Sequence, residues 1–176
     1  KSGYSASRDN YMAQLICERL TGTVAESYTN ADMEHGVQTE ALARAAYEQL
    51  RDVLVDEVAF VKHPRILMTG ASPDGLVGTD GLIEIKCPKT ATHLDTLEKQ
   101  EVPAKYLTQM YWQMACTGRQ WCDFVSYDNR LPKGLDVYIE RVPRDNEHIA
   151  WLETEVEQFL SELDKRLIFL QGKINE

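Results

Sequence analysis

The chain has 176 residues, 28 of them acidic and 19 basic, for a net charge of −9, and 43% are hydrophobic. That length sustains one core without disulfide or metal staples, and the apolar fraction excludes a disordered chain. The longest apolar runs, such as 58–61 and 167–170, fall far short of the roughly 18 residues that cross a bilayer, and no signal-peptide pattern is read at the start.

In chain order, Tyr11, Met12, Leu15, Ile16 and Leu20 recur at three and four, which predicts a helix capped by Asp9 and ended by Gly22. A second helix is expected from Asn30 or Asp32 to Leu50, with Met33, Val37, Ala41 and Ala45 along one flank. The β-branched and aromatic residues of 55–61, then 66–69 and 81–87, predict three successive strands forming a meander. Pro103 suits the first turn of a helix running to Ala115 or just beyond, with Gly118 as its left-handed stop. Strands follow over 121–127 and 135–142. Last comes a long helix with Asp145 or Asn146 as cap and a stripe of Ile149, Leu152, Val156, Phe159, Leu163, Leu167 and Leu170, packing on the sheet or on a partner subunit. No repeat, low-complexity tract or linker interrupts this order, so residues 1–176 read as one domain.

Charge and cysteines narrow the chemistry. The acidic excess sits in 31–60, with 2 basic and 7 acidic residues, and in 140–176, with 5 and 9, whereas 61–139 carries 9 of each. A simple basic nucleic-acid module is therefore disfavoured, but the middle of the chain is not barred from phosphate. Cys17, Cys87, Cys116 and Cys122 form no C-x-x-C pair and are read as free thiols in a reducing compartment. There is no G-x-x-x-x-G-K-[ST] phosphate loop and no serine nucleophile elbow. Lys62, His63 and Arg65 make a small basic cluster that reads equally well as a phosphate contact or a solvated loop. Tyr106, Tyr111 and Trp112 read as base-stacking platforms or as core, with core favoured for Trp112.

The informative stretch is Ser72-Pro73-Asp74-Gly75, a short strand at 76–78, and Gly81-Leu82-Ile83-Glu84-Ile85-Lys86-Cys87. Residues two apart on a strand share a face, so Glu84 and Lys86 project together while Ile83, Ile85 and Cys87 face the core. Nine residues separate Asp74 from Glu84, enough for a hairpin to return and bring the carboxylates together. Two hard oxygen ligands, with the Ile85 carbonyl as a possible third, suit Mg²⁺. Such an ion lowers the pKa of a bound water and stabilises charge on phosphorus. Lys86, beside two carboxylates, keeps its proton and is read as a positioning group. Pro-Asp-Gly is also a common turn and Glu-x-Lys a common surface pair, so the combination carries the reading and neither part does alone.

Ala71-Ser-Pro-Asp-Gly75 with Ile83-Glu-Ile-Lys-Cys-Pro88 resembles the phage lambda exonuclease and YqaJ-like viral recombinase family, within the PD-(D/E)XK nuclease superfamily. His35-Gly36 with Glu40 is similar to the family's helical Gly-x-x-x-Glu, Tyr106-Leu-Thr-Gln109 through Gln113 to its helix after the core motif, and Tyr127-Asp128 with Arg130 to its strand-end motif. The resemblance implies an α/β fold with a restriction-endonuclease-like core: a mixed central sheet flanked by helices. It makes Asp74 and Glu84 metal ligands, Lys86 the catalytic lysine and Glu40 a carboxylate completing the site. Gln109 is the best match for the helical glutamine, touching the attacking water or the DNA backbone, and Gln113, four residues on, shares its face. Gln113, Arg130, Lys89 and Lys105 are candidate DNA contacts.

The resemblance further implies a Mg²⁺-dependent (with Mn²⁺ as a substitute) alkaline 5′-to-3′ exonuclease on double-stranded DNA ends. It would act processively as a homotrimeric ring, beside a single-strand annealing protein, in phage recombination in a bacterial cytoplasm. The iron-sulfur branch is set aside because the late cysteine triplet is missing. One departure is that nothing before Arg8 matches the family's terminal-phosphate segment: either that segment is cut away or left out of a chain that starts at Lys1, or end recognition is built differently. A structure- or sequence-specific endonuclease and a non-catalytic DNA-binding module are the rival readings.

Overall fold

Ser5, with extended backbone, accepts a hydrogen bond from the Arg8 amide through its Oγ and so starts helix α1 (Ala6–Thr21). Asp9, expected as the cap, lies inside the first turn, where its charge favours the helix N-terminus. Gly22 stops α1 at φ 70°. The computed structural model describes residues 5–24 and 31–174, with only the backbone described over 31–37. Asn30, and the side chains of Met33, His35 and Val37, thus lie outside the described residues.

Two compact units are present. One is formed by 1–28 with 153–176, the other by 29–152. In the first, α1 and the later part of helix α5 (Asn146–Ile174) bury Met12, Ile16, Leu163 and Leu167, with Phe159 and Leu170 beside them. The terminal stripe beyond Leu152 therefore packs on α1. Arg8–Glu162 at 2.8 Å and Arg19–Asp164 at 3.1 Å flank this contact.

The second unit holds helix α2 (Ala31–Arg51), strands β1 (Val55–Asp56), β2 (Val61–Lys62), β3 (Gly70–Ala71), β4 (Gly75–Val77) and β5 (Gly81–Lys86), helices α3 (Thr90–Lys99) and α4 (Ala104–Thr117), strands β6 (Trp121–Tyr127) and β7 (Val137–Pro143), and the start of α5. The main sheet has the order β1-β4-β5-β6-β7, with β5 and β6 parallel and the other pairs antiparallel. A parallel neighbour requires a long crossover, and α3 and α4 provide it.

The expected meander is not formed. The run 55–61 is interrupted, so that β1 pairs with β4 in the main sheet while β2 pairs with β3 in a separate ribbon. Residues 66–69 are the turn of that ribbon rather than a strand. Helix α3 was not anticipated: its N-cap is Lys89, which gives no side-chain capping hydrogen bond, and its buried residues are His93 and Thr96 rather than an apolar stripe.

Alternation along β5 sorts the two faces of the sheet. Leu82 joins Phe124, Met110, Met114 and Ile149 on the side covered by α4, while Ile83 and Ile85 join Ala43, Tyr47 and Val125 on the side covered by α2. Asp123, fully buried in β6, is satisfied by Tyr47 at 2.8 Å and by two bonds from Arg141 at 2.7 and 2.9 Å, tying α2 and β7 to the sheet centre.

Candidate active site

The β4–β5 hairpin pairs Gly75 with Ile83, and β4 begins there. Ile85, two residues further along β5, is left without a β4 partner, and the Asp74 carboxylate takes its amide: Ile85 N–H donates to Oδ2 at 2.7 Å. The residue that opens the first arm is thereby fixed against the second. Gly75 is required beside it, because a Cβ there would run into the Val55 side chain across the β1–β4 pair.

Glu84 is fully buried on the α4 face. Its Oε1 forms an ion pair with Lys86 Nζ, and its Oε2 accepts from Gln113 Nε2 at 2.6 Å. Lys86 also lies over the Tyr106 ring, 5.4 Å from its centre, and Lys105 lies over the same ring at 4.7 Å. Tyr106 stacks in turn on Phe124 of β6. The expected trio of Asp74, Glu84 and Lys86 is thus brought together, joined by Gln113 from α4. Gln109 is exposed one turn earlier, and it is Gln113 that reaches the buried carboxylate.

Glu40 approaches from α2. Its charge acts on Asp74, but its direct partner is Arg44, at 2.7 Å. Arg44 also reaches Glu57 at 3.2 Å and the Asp74 carbonyl at 3.3 Å, so one guanidinium braces the helix against the strand that carries Asp74. Arg44 belongs to no motif, and the only sign of it in the sequence is its i,i+4 spacing from Glu40.

Too much negative charge is held here for the cations present. Burial first, and then the Glu84 charge, push the Asp74 carboxyl up to about 6, against the pull of the Ile85 amide, Lys86 and Arg44. Glu40 is raised by burial and by Asp74. Burial works against the Lys86 charge, but Glu84, Asp74 and Tyr106 more than offset it and hold the ammonium above its usual pKa. Cys87 remains a thiol, pushed up to about 11 by burial and then by Glu40 and Asp74.

Excess carboxylate charge at a partly open hairpin edge fits a hard divalent cation. Among the described residues no group of three or more His, Cys, Asp or Glu side chains is placed to hold a metal ion. The donors that fit are Asp74 and Glu84, with the Ile85 carbonyl, which points to the same strand edge as the amide bonded by Asp74.

The outer candidates are placed differently from one another. Arg130 is bound to Asp128 through Nε at 2.6 Å and Nη2 at 3.1 Å, and to the Pro88 carbonyl at 3.0 Å. Burial opposes the Asp128 charge, yet Arg130 and Thr90 hold its carboxyl down to about 2. Lys89 and Lys105 are exposed on either side of α3. His63 does not belong to a surface basic cluster: it is buried, stacks on Trp112 at 5.0 Å, and its Nδ1 accepts the Arg65 and Ile66 amides.

The YqaJ-like viral recombinase domain matches residues 4–120. The chain belongs to this family. An alkaline exonuclease (LHK-Exo) of Laribacter hongkongensis shares 51% identity and a TM-score of 0.93 over 98% of this chain and 88% of its own. Its complex with dAMP matches with the same identity and TM-score over 97% and 87%. A phage-related exonuclease of Haemophilus somnus 129PT shares the fold at 17% identity and a TM-score of 0.72, over 97% and 85%. No curated protein sequence matches the chain. Within the family match lie Asp74, Glu84, Lys86 and Gln113, the four side chains gathered at the hairpin.

Proposed function

We propose that this YqaJ-family chain is a Mg²⁺-dependent deoxyribonuclease that digests duplex DNA from an end, 5′ to 3′, with Mn²⁺ able to replace Mg²⁺. The observation that carries the reading is the convergence of Asp74 and Glu84 on one hairpin with Lys86 on Glu84. Identity of 51% to an alkaline exonuclease, and that protein's complex with a nucleoside monophosphate, support both the nuclease class and an alkaline working range.

Asp74, Glu84 and the Ile85 carbonyl would hold the ion, which when bound stabilises charge developing on a phosphoryl group and makes water more acidic. The chain's own groups do the rest. Gln113 fixes the orientation of the Glu84 carboxylate through Oε2. Lys86, protonated, offers N–H donors to a water or phosphate oxygen, which is a positioning and electrostatic role rather than that of a base. Glu40, braced by Arg44, adds negative charge from the α2 side. Lys89, Lys105 and the exposed part of Arg130 would meet the phosphate backbone.

All of 1–176 is read as one nuclease domain, with α5 contributing to both compact units. The family resemblance extends the proposal to a homotrimeric ring, a single-strand annealing partner and phage recombination in a bacterial cytoplasm. No described helix is long and apolar enough to cross a membrane. The deciding experiment is digestion of linear duplexes labelled at either end, with and without a 5′-phosphate, beside nicked and covalently closed circles. Loss of 5′-terminal label first, with closed circles intact, is expected. Cutting of closed circles assigns an endonuclease instead, and no hydrolysis with Mg²⁺ or Mn²⁺ assigns a non-catalytic module.

A further inference from the structure

The ribbon β2–β3 is used neither by the proposed site nor by the main sheet, and its turn presents apolar side chains to solvent. Leu67 is 84% exposed and Met68 80%. Met68 adopts φ 63°, a left-handed conformation that disfavours residues other than glycine, asparagine and aspartate. Holding a long apolar side chain outward in a strained turn costs stability twice, once in backbone and once in hydration.

The turn is also unusually well fastened. His63 Nδ1 accepts the Arg65 and Ile66 amides, the His63 amide donates to the Thr69 carbonyl at 3.0 Å, and Thr69 Oγ1 donates to the Ile66 carbonyl at 2.8 Å. Trp112 of α4 stacks on His63 and donates from Nε1 to the Gly70 carbonyl at 3.1 Å. The next residue of α4 is Gln113, which holds Glu84. Ribbon and candidate site are therefore anchored on adjacent residues of one helix. Met68 precedes Asp74 by six residues, a reach of no more than roughly 22 Å, or the rise of about six base pairs.

Charge identifies what the ribbon meets. The sixteen residues 58–73 contain no Asp or Glu in a chain with 28, and they include Lys62 and Arg65, both exposed. Both cations stand before the apolar tip, on the β2 side of the turn, and charge beside an apolar tip matches one rim of a nucleic-acid groove, with phosphates along the rim and sugar and base surface next to it. We propose that the β2–β3 ribbon is a docking element for duplex DNA: Lys62 and Arg65 on the phosphates, Leu67 and Met68 against the groove wall. This rests on the nuclease reading, and adds to it a surface that holds the duplex beside the site.

The test is equilibrium binding of a short linear duplex across a salt series, with Ca²⁺ replacing Mg²⁺. The double variant Leu67→Ser with Met68→Ser is expected to weaken binding about tenfold or more with an unchanged salt slope. Lys62→Ala and Arg65→Ala should each weaken binding and lower the slope of log K against log salt by roughly 0.9. Met68→Gly relieves the backbone, so its Tm should equal or exceed that of the wild type while its DNA affinity falls. Unchanged affinity and slope in these variants overturn the proposal. So does sedimentation in which the Leu67/Met68 variant breaks up an oligomer that the wild type forms, since the tip would then be a subunit contact. A wild type that binds duplex but hydrolyses none leaves this test intact while sinking the nuclease reading.

Discussion

Asp74 is a carboxylate that folding makes harder to ionise, raised from 3.8 to about 6 by burial and by Glu84. An acid shifted upward stabilises the fold only while protonated: its contribution is full below about pH 4 and is lost as pH rises through about 6. Asp74→Asn keeps an acceptor for the Ile85 amide and carries no charge. In metal-free buffer its Tm is expected to exceed that of the wild type above about pH 6 and to match it below about pH 4, and a thermal melt series in pH measures this. A lower Tm for the variant at alkaline pH contradicts the electrostatic account. Gln113 and Gln109 form a second residue-scale contrast. Removing the Gln113 amide leaves Glu84 Oε2 buried without its donor, so Gln113→Ala should cost about 2 kcal/mol, whereas Gln109→Ala, at an exposed position, should leave Tm unchanged. Asp74, Glu84 and Lys86 were legible in the sequence because strand alternation and hairpin length are local rules. The choice between Gln109 and Gln113 was not, because residues four apart share a helix face and only the seating of α4 on the sheet decides which one reaches Glu84.

At the scale of elements, the β4–β5 hairpin carries the site and β1 buttresses it. Gly75 allows β1 to lie close, so Gly75→Ala forces Val55 and the hairpin apart, at a cost of about 1–3 kcal/mol and a displaced Asp74. Denaturant melts and a duplex digestion assay should show both losses together. Gly78→Asn is the matching control and should be near silent, since Asn tolerates the φ of 51° and nothing lies within 4 Å of a Cβ there. The hairpin, the two long early helices, β6 and the terminal helix could be read from period and punctuation. The pairing of β1 with β4 could not, because two-residue strands carry too little pattern to reveal a partner, and the run from Val55 to Val61 is divided between two sheets. Helix α3 escaped for a related reason: its inward side consists of His93 and Thr96, whose fit depends on Ser126 at 2.7 Å and the Leu135 carbonyl at 2.9 Å from His93, contacts that sequence period does not encode.

For the molecule as a whole, a net charge of −9 and a DNA substrate are compatible because charge is unevenly placed. The acidic excess lies in 31–60 and 140–176, while 58–73 holds no acid and 61–139 is neutral. The carboxylates that do gather centrally are those that suit a cation, so bound ions and a basic ribbon together would oppose the repulsion of phosphates. The measurement that bears most directly on the central claim is the rate at which purified Lys86→Ala, shown to be folded by its near-ultraviolet circular dichroism, releases nucleotides from linear duplex DNA in Mg²⁺. A fall of about a hundredfold or more from the wild-type rate is expected, as when one preorganised donor is removed from a developing charge. Digestion by Lys86→Ala at the wild-type rate would contradict the assignment of Asp74, Glu84 and Lys86 as the hydrolytic centre.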